Sequence, residues 1–149
     1  MKIFNILILI SIIPLVGVML LILIPGRYNS YCFNAALFIS SLTFILSLIM
    51  WLIFDSGHNS FQFLCTIDWL PAFNFYYTVG VDGISLFFLI LTTFLIMVCV
   101  LISWGSINYR LKEYLINFLL LEFLLIQVFS VLDLLLFYVF FESILMPMF

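Results

Sequence analysis

Charge is what this sequence has least of. Its 149 residues include 4 Lys and Arg, 7 Asp and Glu and 1 His, for a net charge of −3. The basic residues are scattered as Lys2, Arg27, Arg110 and Lys112. Without a basic run there is no footprint for a phosphate backbone, so nucleic acid is excluded as a partner. Cysteine is scarce too: Cys32 and Cys99 fall in apolar stretches and Cys65 in a connection, with none of the paired spacing of a disulfide or metal framework. The lone histidine, His58, leaves no imidazole set for a metal and reads as a solvated loop residue. Two of the 6 glycines flank Asp82 in GVDGIS, but no GxGxxG or GxxxxGK pattern completes a phosphate cradle. No small-residue cleavage site follows the first apolar run, which is also too long for a signal segment, so it reads as a retained helix.

What fills the chain instead is hydrocarbon. At 68% hydrophobic residues and a mean hydropathy of +1.44, a water-soluble fold would have nowhere to put its apolar surface. The expected fold class is all-α: a polytopic integral membrane protein, one membrane domain over residues 1–149, with about five transmembrane helices in contact with lipid. The expected spans are 3–24, 33–54, 84–104, 114–131 and 133–149. Pro14 sits within the first and favours a packed helix over an isolated anchor. In the second, Asn34, Ser40, Ser41, Thr43 and Ser47 are the small polar residues through which membrane helices approach one another, and Trp51 fits an interfacial anchor. The apolar stretch from Tyr114 to Phe149 would make one helix of about 54 Å, so it must be two spans, turning near Ser130 with Asp133 as cap. Residues 55–82 form the long surface loop. Phe61, Phe63, Cys65, Ile67 and Trp69 alternate with Gln62, Leu64, Thr66 and Asp68, and Phe73, Phe75, Tyr77 and Val79 alternate again after Pro71 and Asn74, which predicts a short surface hairpin with one apolar face. Asp82 opens the third span as a helix-start residue.

Two acids lie where charge is costly. Glu142 stands nine residues from Asp133 in DLLLFYVFFESILMPMF, about 13 Å into a hydrocarbon layer about 30 Å thick, with Tyr138 and Met146 on its helix face. An ionisable group at that depth is expected to face a protein interior or a water path and to act there, the alternative being an anchor helix that tolerates one acid. Pro147 removes an N–H and frees the carbonyl of Ser143 beside it. Glu122 is the second, some eight residues inside the fourth span. All four basic residues sit at membrane edges, so both acids are expected to find their partners on helices outside this chain. The chain ends seven residues past Glu142 without a polar flank, which is the expectation for a truncated, split or partial subunit.

These residues carry a family resemblance. WLP at Trp69 to Pro71, GVDGISLFFLILTTFL from Gly80, YRLKEYL from Tyr109 and, above all, VLDLLLFYVFFESILMPMF from Val131 resemble the chain 4 family of mitochondrial NADH:ubiquinone oxidoreductase. These are antiporter-like membrane subunits of respiratory complex I, related to multisubunit cation/proton antiporters. The resemblance covers Trp69 to Phe149 well, while the first two spans agree in hydropathy alone. It implies the N-terminal third of a larger bundle in the mitochondrial inner membrane. Its partners would be other complex I membrane subunits and helices of a missing C-terminal part or second chain that supply buried lysines. The resemblance puts Glu142 in a proton path as the catalytic, proton-transferring residue. Glu122 falls on no family site of equal clarity and stands as a secondary proton site.

The function expected is proton translocation coupled to electron transfer from NADH to ubiquinone, in a chain that itself binds no nicotinamide, flavin, iron–sulfur cluster or other cofactor. Three other readings compete: a subunit of a cation/proton antiporter, a structural or assembly subunit without its own proton path, and a five-helix fragment with no native role. Arg27, Arg110 and Lys112 fall on one side of the membrane and the acidic 55–82 loop on the other, so the basic side is expected to be the matrix, with the N-terminus and Cys65 in the intermembrane space.

Overall fold

The computed structural model describes residues 6–57, 60–73, 75–106 and 109–148. Lys2 and His58 lie outside the described residues. Four long apolar segments become four long helices: α1 (Ile6–Leu23), α2 (Asn29–Ile53), α3 (Gly83–Ser106) and α4 (Leu111–Ser130). Each is long and apolar enough to cross a membrane, and the chain is a multi-pass membrane protein. Between α2 and α3 runs an antiparallel hairpin of β1 (Gln62–Leu70) and β2 (Phe75–Val81), joined by a 3₁₀ turn at Pro71–Phe73. The fifth apolar segment is interrupted: α5 (Leu134–Ser143) stops and a single turn, α6 (Leu145–Met148), follows. That break falls where Pro147 deprives the Ser143 carbonyl of an intrahelical donor.

The ends of these helices have local causes. The Ser85 amide donates to Asp82 Oδ1 at 2.8 Å, so Asp82 caps α3 as its position implies. The same hydrogen bond holds the Asp82 carboxyl below the usual carboxylate range. The Leu135 amide donates to Asp133 Oδ1 at 3.1 Å and starts α5. Two boundaries differ from those expected. α2 begins at Asn29 rather than near residue 33, because the Cys32 amide already reaches the Tyr28 carbonyl at 3.1 Å, closing a first turn that polar residues had disguised. α4 begins at Leu111, after Arg110 in the left-handed region at φ 52, and the loop before it is shorter than Gly105 to Glu113. Gly105, at φ 83, supplies the turn that leaves α3.

Two apolar clusters fill the bundle, one at each end. Leu21, Cys32, Ala36, Ile96, Val100 and Leu115 belong to the first, and Leu7, Met50, Val79, Leu86, Ile126 and Leu136 to the second. At the first end the Lys112 ammonium donates to the Ile22 carbonyl at 3.1 Å, satisfying one of the last carbonyls of α1. At the second the hairpin is stitched to the α4–α5 turn: the Leu132 amide donates to the Thr78 carbonyl at 2.9 Å, and Val79 bridges Val131. At Gly17 α1 closely approaches α2 and α4, since a Cβ there would meet Ile39 Cγ2 at 2.9 Å and Leu119 Cδ1 at 3.1 Å. The hairpin departs from the expected single apolar face. Val79 and Val81 are buried and Tyr77 half-buried, but Phe61, Leu64 and Ile67 of the other arm are all about half exposed. Among the described side chains, those of β2 pack against α3 and α4.

Candidate functional site

Glu122 is fully enclosed at mid-depth of the bundle. On α4 it lies between Leu119 of one apolar cluster and Ile126 of the other, about 16 Å by helix rise from Leu111 and about 12 Å from Ser130. Its side chain is 0% exposed. Thr43 of α2 meets it, Oγ1 to Oε1 at 2.7 Å. Glu122 Oε2 has no hydrogen-bond partner among the described residues. The expectation that both acids must look outside this chain for partners is therefore corrected for Glu122. Its partner is a neutral hydroxyl contributed by the small polar residues of α2, where a search restricted to cations does not find it.

Those residues form a line. Thr43 and Ser47 sit one turn apart on the buried face of α2, and Ser47 Oγ lies 3.1 Å from Thr93 Oγ1 on α3. Toward the hairpin, the Tyr77 hydroxyl donates to Gln127 Oε1 on α4, and the Ser130 hydroxyl donates to the Ile126 carbonyl at 2.7 Å. The interior of α2, α3 and α4 thus holds Glu122, Gln127, Thr43, Ser47, Thr93 and Ser130, all buried. Sequence reasoning named the α2 hydroxyls as helix contacts and missed Thr93, Gln127 and Tyr77 as members of the same set. The available signal was a run of polar residues spaced on one face of otherwise apolar helices. Asn34, read with that set, is exposed on the outer side of α2.

Glu142 is not enclosed by the described helices. Leu136 and Phe140 turn α5 toward α4, with Phe140 edge-on to Phe123 at 6.4 Å between centroids. Glu142 lies two residues past Phe140, about 200° around the helix, and is exposed on the face away from the bundle. Tyr138 (61%) and Met146 (81%) share that exposed face, as their spacing implies. The structure does not bring Glu122 and Glu142 together; they occupy α4 and α5 on opposite aspects of their packing.

Comparison with known proteins gives the frame for this arrangement. The chain is 62% identical over all 149 of its residues to NADH-ubiquinone oxidoreductase chain 4 of Chondrus crispus, and 50% identical over 91% of its length to that of Arabidopsis thaliana. The chain matches the N-terminal third of NADH-ubiquinone oxidoreductase chain 4. It spans 30% and 28% of the length of these two relatives. NADH-quinone oxidoreductase subunit M of Rickettsia typhi is 38% identical over 92% of the chain, and 29% of that protein is covered. No protein-family model matches. Among solved structures, a chain of respiratory complex I from Thermus thermophilus with bound NADH is similar at a TM-score of 0.76 and 28% identity, covering 95% of this chain and 27% of that one. The likeness to chain 4 extends through α1 and α2, beyond the part in which motifs made it visible.

Proposed function

We propose that the chain supplies N-terminal helices of a proton-translocating membrane subunit of respiratory NADH:ubiquinone oxidoreductase, in the mitochondrial inner membrane. The observation that carries this reading is the position of two carboxyls on otherwise apolar helices, Glu122 enclosed and Glu142 on the outward face of α5 beside the break before α6. Groups that take up and release protons within a bilayer need such positions, and a carboxyl in plain contact with lipid would be costly. The outward face of α5 is accordingly read as lining further helices of the subunit. In this reading Glu142 is the proton-transferring residue, helices outside this chain bring a buried cation toward it, and Glu122 is a secondary proton site. The chain binds no nicotinamide, flavin or iron–sulfur cluster, and its partners are the other membrane subunits and lipid. The relatives named for ubiquinone, at 62% and 50% identity against 38% for the bacterial one, favour the mitochondrial assignment. The test is Glu142→Gln in the assembled complex, with native gels beside proton uptake in vesicles. Normal assembly with suppressed proton uptake and NADH:ubiquinone turnover is expected. Full assembly with undiminished pumping would remove Glu142 from the path.

A further inference from the structure

The Thr43 hydroxyl has two acceptors within reach and one hydrogen. Its Oγ1 lies 2.8 Å from the carbonyl oxygen of Ser40, three residues back in α2, and 2.7 Å from Glu122 Oε1. A hydroxyl donates once and otherwise accepts through its lone pairs. When its hydrogen goes to Ser40, the contact with Glu122 is a hydrogen bond only if Glu122 supplies the hydrogen, which it does as the carboxylic acid. When its hydrogen goes to Glu122, the contact with the Ser40 carbonyl is lost.

The surroundings choose between these arrangements. An ionised Glu122 would hold two charged oxygens in an apolar interior with a single donor, since Oε2 has no partner among the described residues. The neutral acid places its O–H on Thr43 and leaves one carbonyl oxygen unpaired, the smaller cost. The buried polar side chains that α1, α2, α3 and α4 bring to the interior include Ser11, Ser40, Ser47, Thr93 and Gln127; among the described residues Glu122 is the one buried carboxyl, and the buried Cys32 thiol belongs to the cluster of Leu21 and Leu115. No described cation shares the interior to stabilise a charge there.

We propose that Glu122 rests as the neutral acid with its O–H on Thr43 Oγ1, and that loss of this proton swings the Thr43 hydrogen from the Ser40 carbonyl to the new carboxylate. In the step the Glu122 O–H bond breaks, the proton passes to a water molecule, and the electron pair stays on Oε1. Thr43 is a positioning residue for a proton site built wholly within these helices and separate from Glu142. Only its use during turnover rests on the proton-translocating reading; the resting protonation and the hydroxyl's turn do not.

Infrared spectra of the assembled complex, wild type against variant, distinguish a protonated carboxyl C=O stretch from the stretches of a carboxylate. Expected are loss of one protonated-carboxyl band in Glu122→Gln, a shift of that band in Thr43→Val, and its return to the original position in Thr43→Ser. Thr43→Ala gives the same readout if the valine variant does not assemble. Loss of a carboxylate band instead in Glu122→Gln overturns the proposal, as does a band unmoved by removal of the Thr43 hydroxyl. A complex that pumps normally with Glu142→Gln would defeat the proposed function and leave these bands where they are, so the two failures are told apart.

Discussion

Gln keeps the size and much of the hydrogen bonding of Glu but does not exchange a proton near neutral pH, so it separates proton transfer from packing at each acid. Glu142→Gln is expected to lower proton-coupled turnover by about 10²-fold or more, the usual worth of a positioned acid–base group, without loss of assembled complex. Glu142→Asp, one methylene shorter, should fall between, because a relay depends on hydrogen-bond reach. Glu122→Gln should cost less in turnover, since that acid keeps a neutral partner in Thr43 and lacks the FFES motif. Parallel assays of proton uptake and native-gel assembly check all three. Asp82 gives a different prediction. Its folded carboxyl lies below the usual range because the Ser85 amide favours the charged form, so the cap contributes above the unfolded carboxylate pKa and is lost as pH falls through the lowered folded value. Asp82→Ala should cost about 1 kcal/mol and remove that acid sensitivity, measured by hydrogen exchange at the start of α3. Of these residues, Asp82 and Asp133 were legible from sequence because capping is local. Thr43 as the partner of Glu122 was not, because the two are 79 residues apart and only tertiary packing joins them.

At the scale of elements, close approach is a sharper determinant than propensity. Gly17→Val would place methyl groups against Ile39 Cγ2 and Leu119 Cδ1, and should destabilise the packing of α1 by about 1–3 kcal/mol, read as a lower yield of assembled complex. Gly17→Ala should do less, because part of the conflict is with the mobile Cδ1 end of Ile39, 2.8 Å away. Four helices and the hairpin follow from hydropathy, alternation and turn residues, each a signal confined to a short window. The division of the fifth segment into α5 and α6 is anticipated by Pro147. Period two identifies a strand without saying what covers each face: among the described side chains Val79 and Val81 of β2 are buried, while Leu64 and Ile67 of β1 are about half exposed. The outward direction of Glu142 depends on Leu136 and Phe140 holding the other side of α5 against α4, which no local signal gives.

For the whole molecule, the four described helix crossings put Arg27, Arg110 and Lys112 at the end opposite the hairpin. Under the proposed mitochondrial location, the charge bias predicts that this end faces the matrix. A cysteine introduced at Thr66, an exposed position of β1, should be labelled by an impermeant thiol reagent from the intermembrane-space side; labelling from the matrix side alone would reverse the topology. The packing order has one more outcome, and it concerns time. α1 packs against α4, and Lys112 satisfies a carbonyl at the end of α1, although about 90 residues of chain separate Ile22 from Lys112. At about 5–20 residues per second, synthesis leaves an interval of roughly 5–20 s in which α1 is made and its partner is not. During that interval Gly17 has no Leu119 of α4 beside it, and α2 is the neighbour already at hand. A nascent chain stopped before Leu111 should consequently be cleared far faster than one stopped after Ser130, making the emergence of α4 the moment at which this membrane bundle becomes durable.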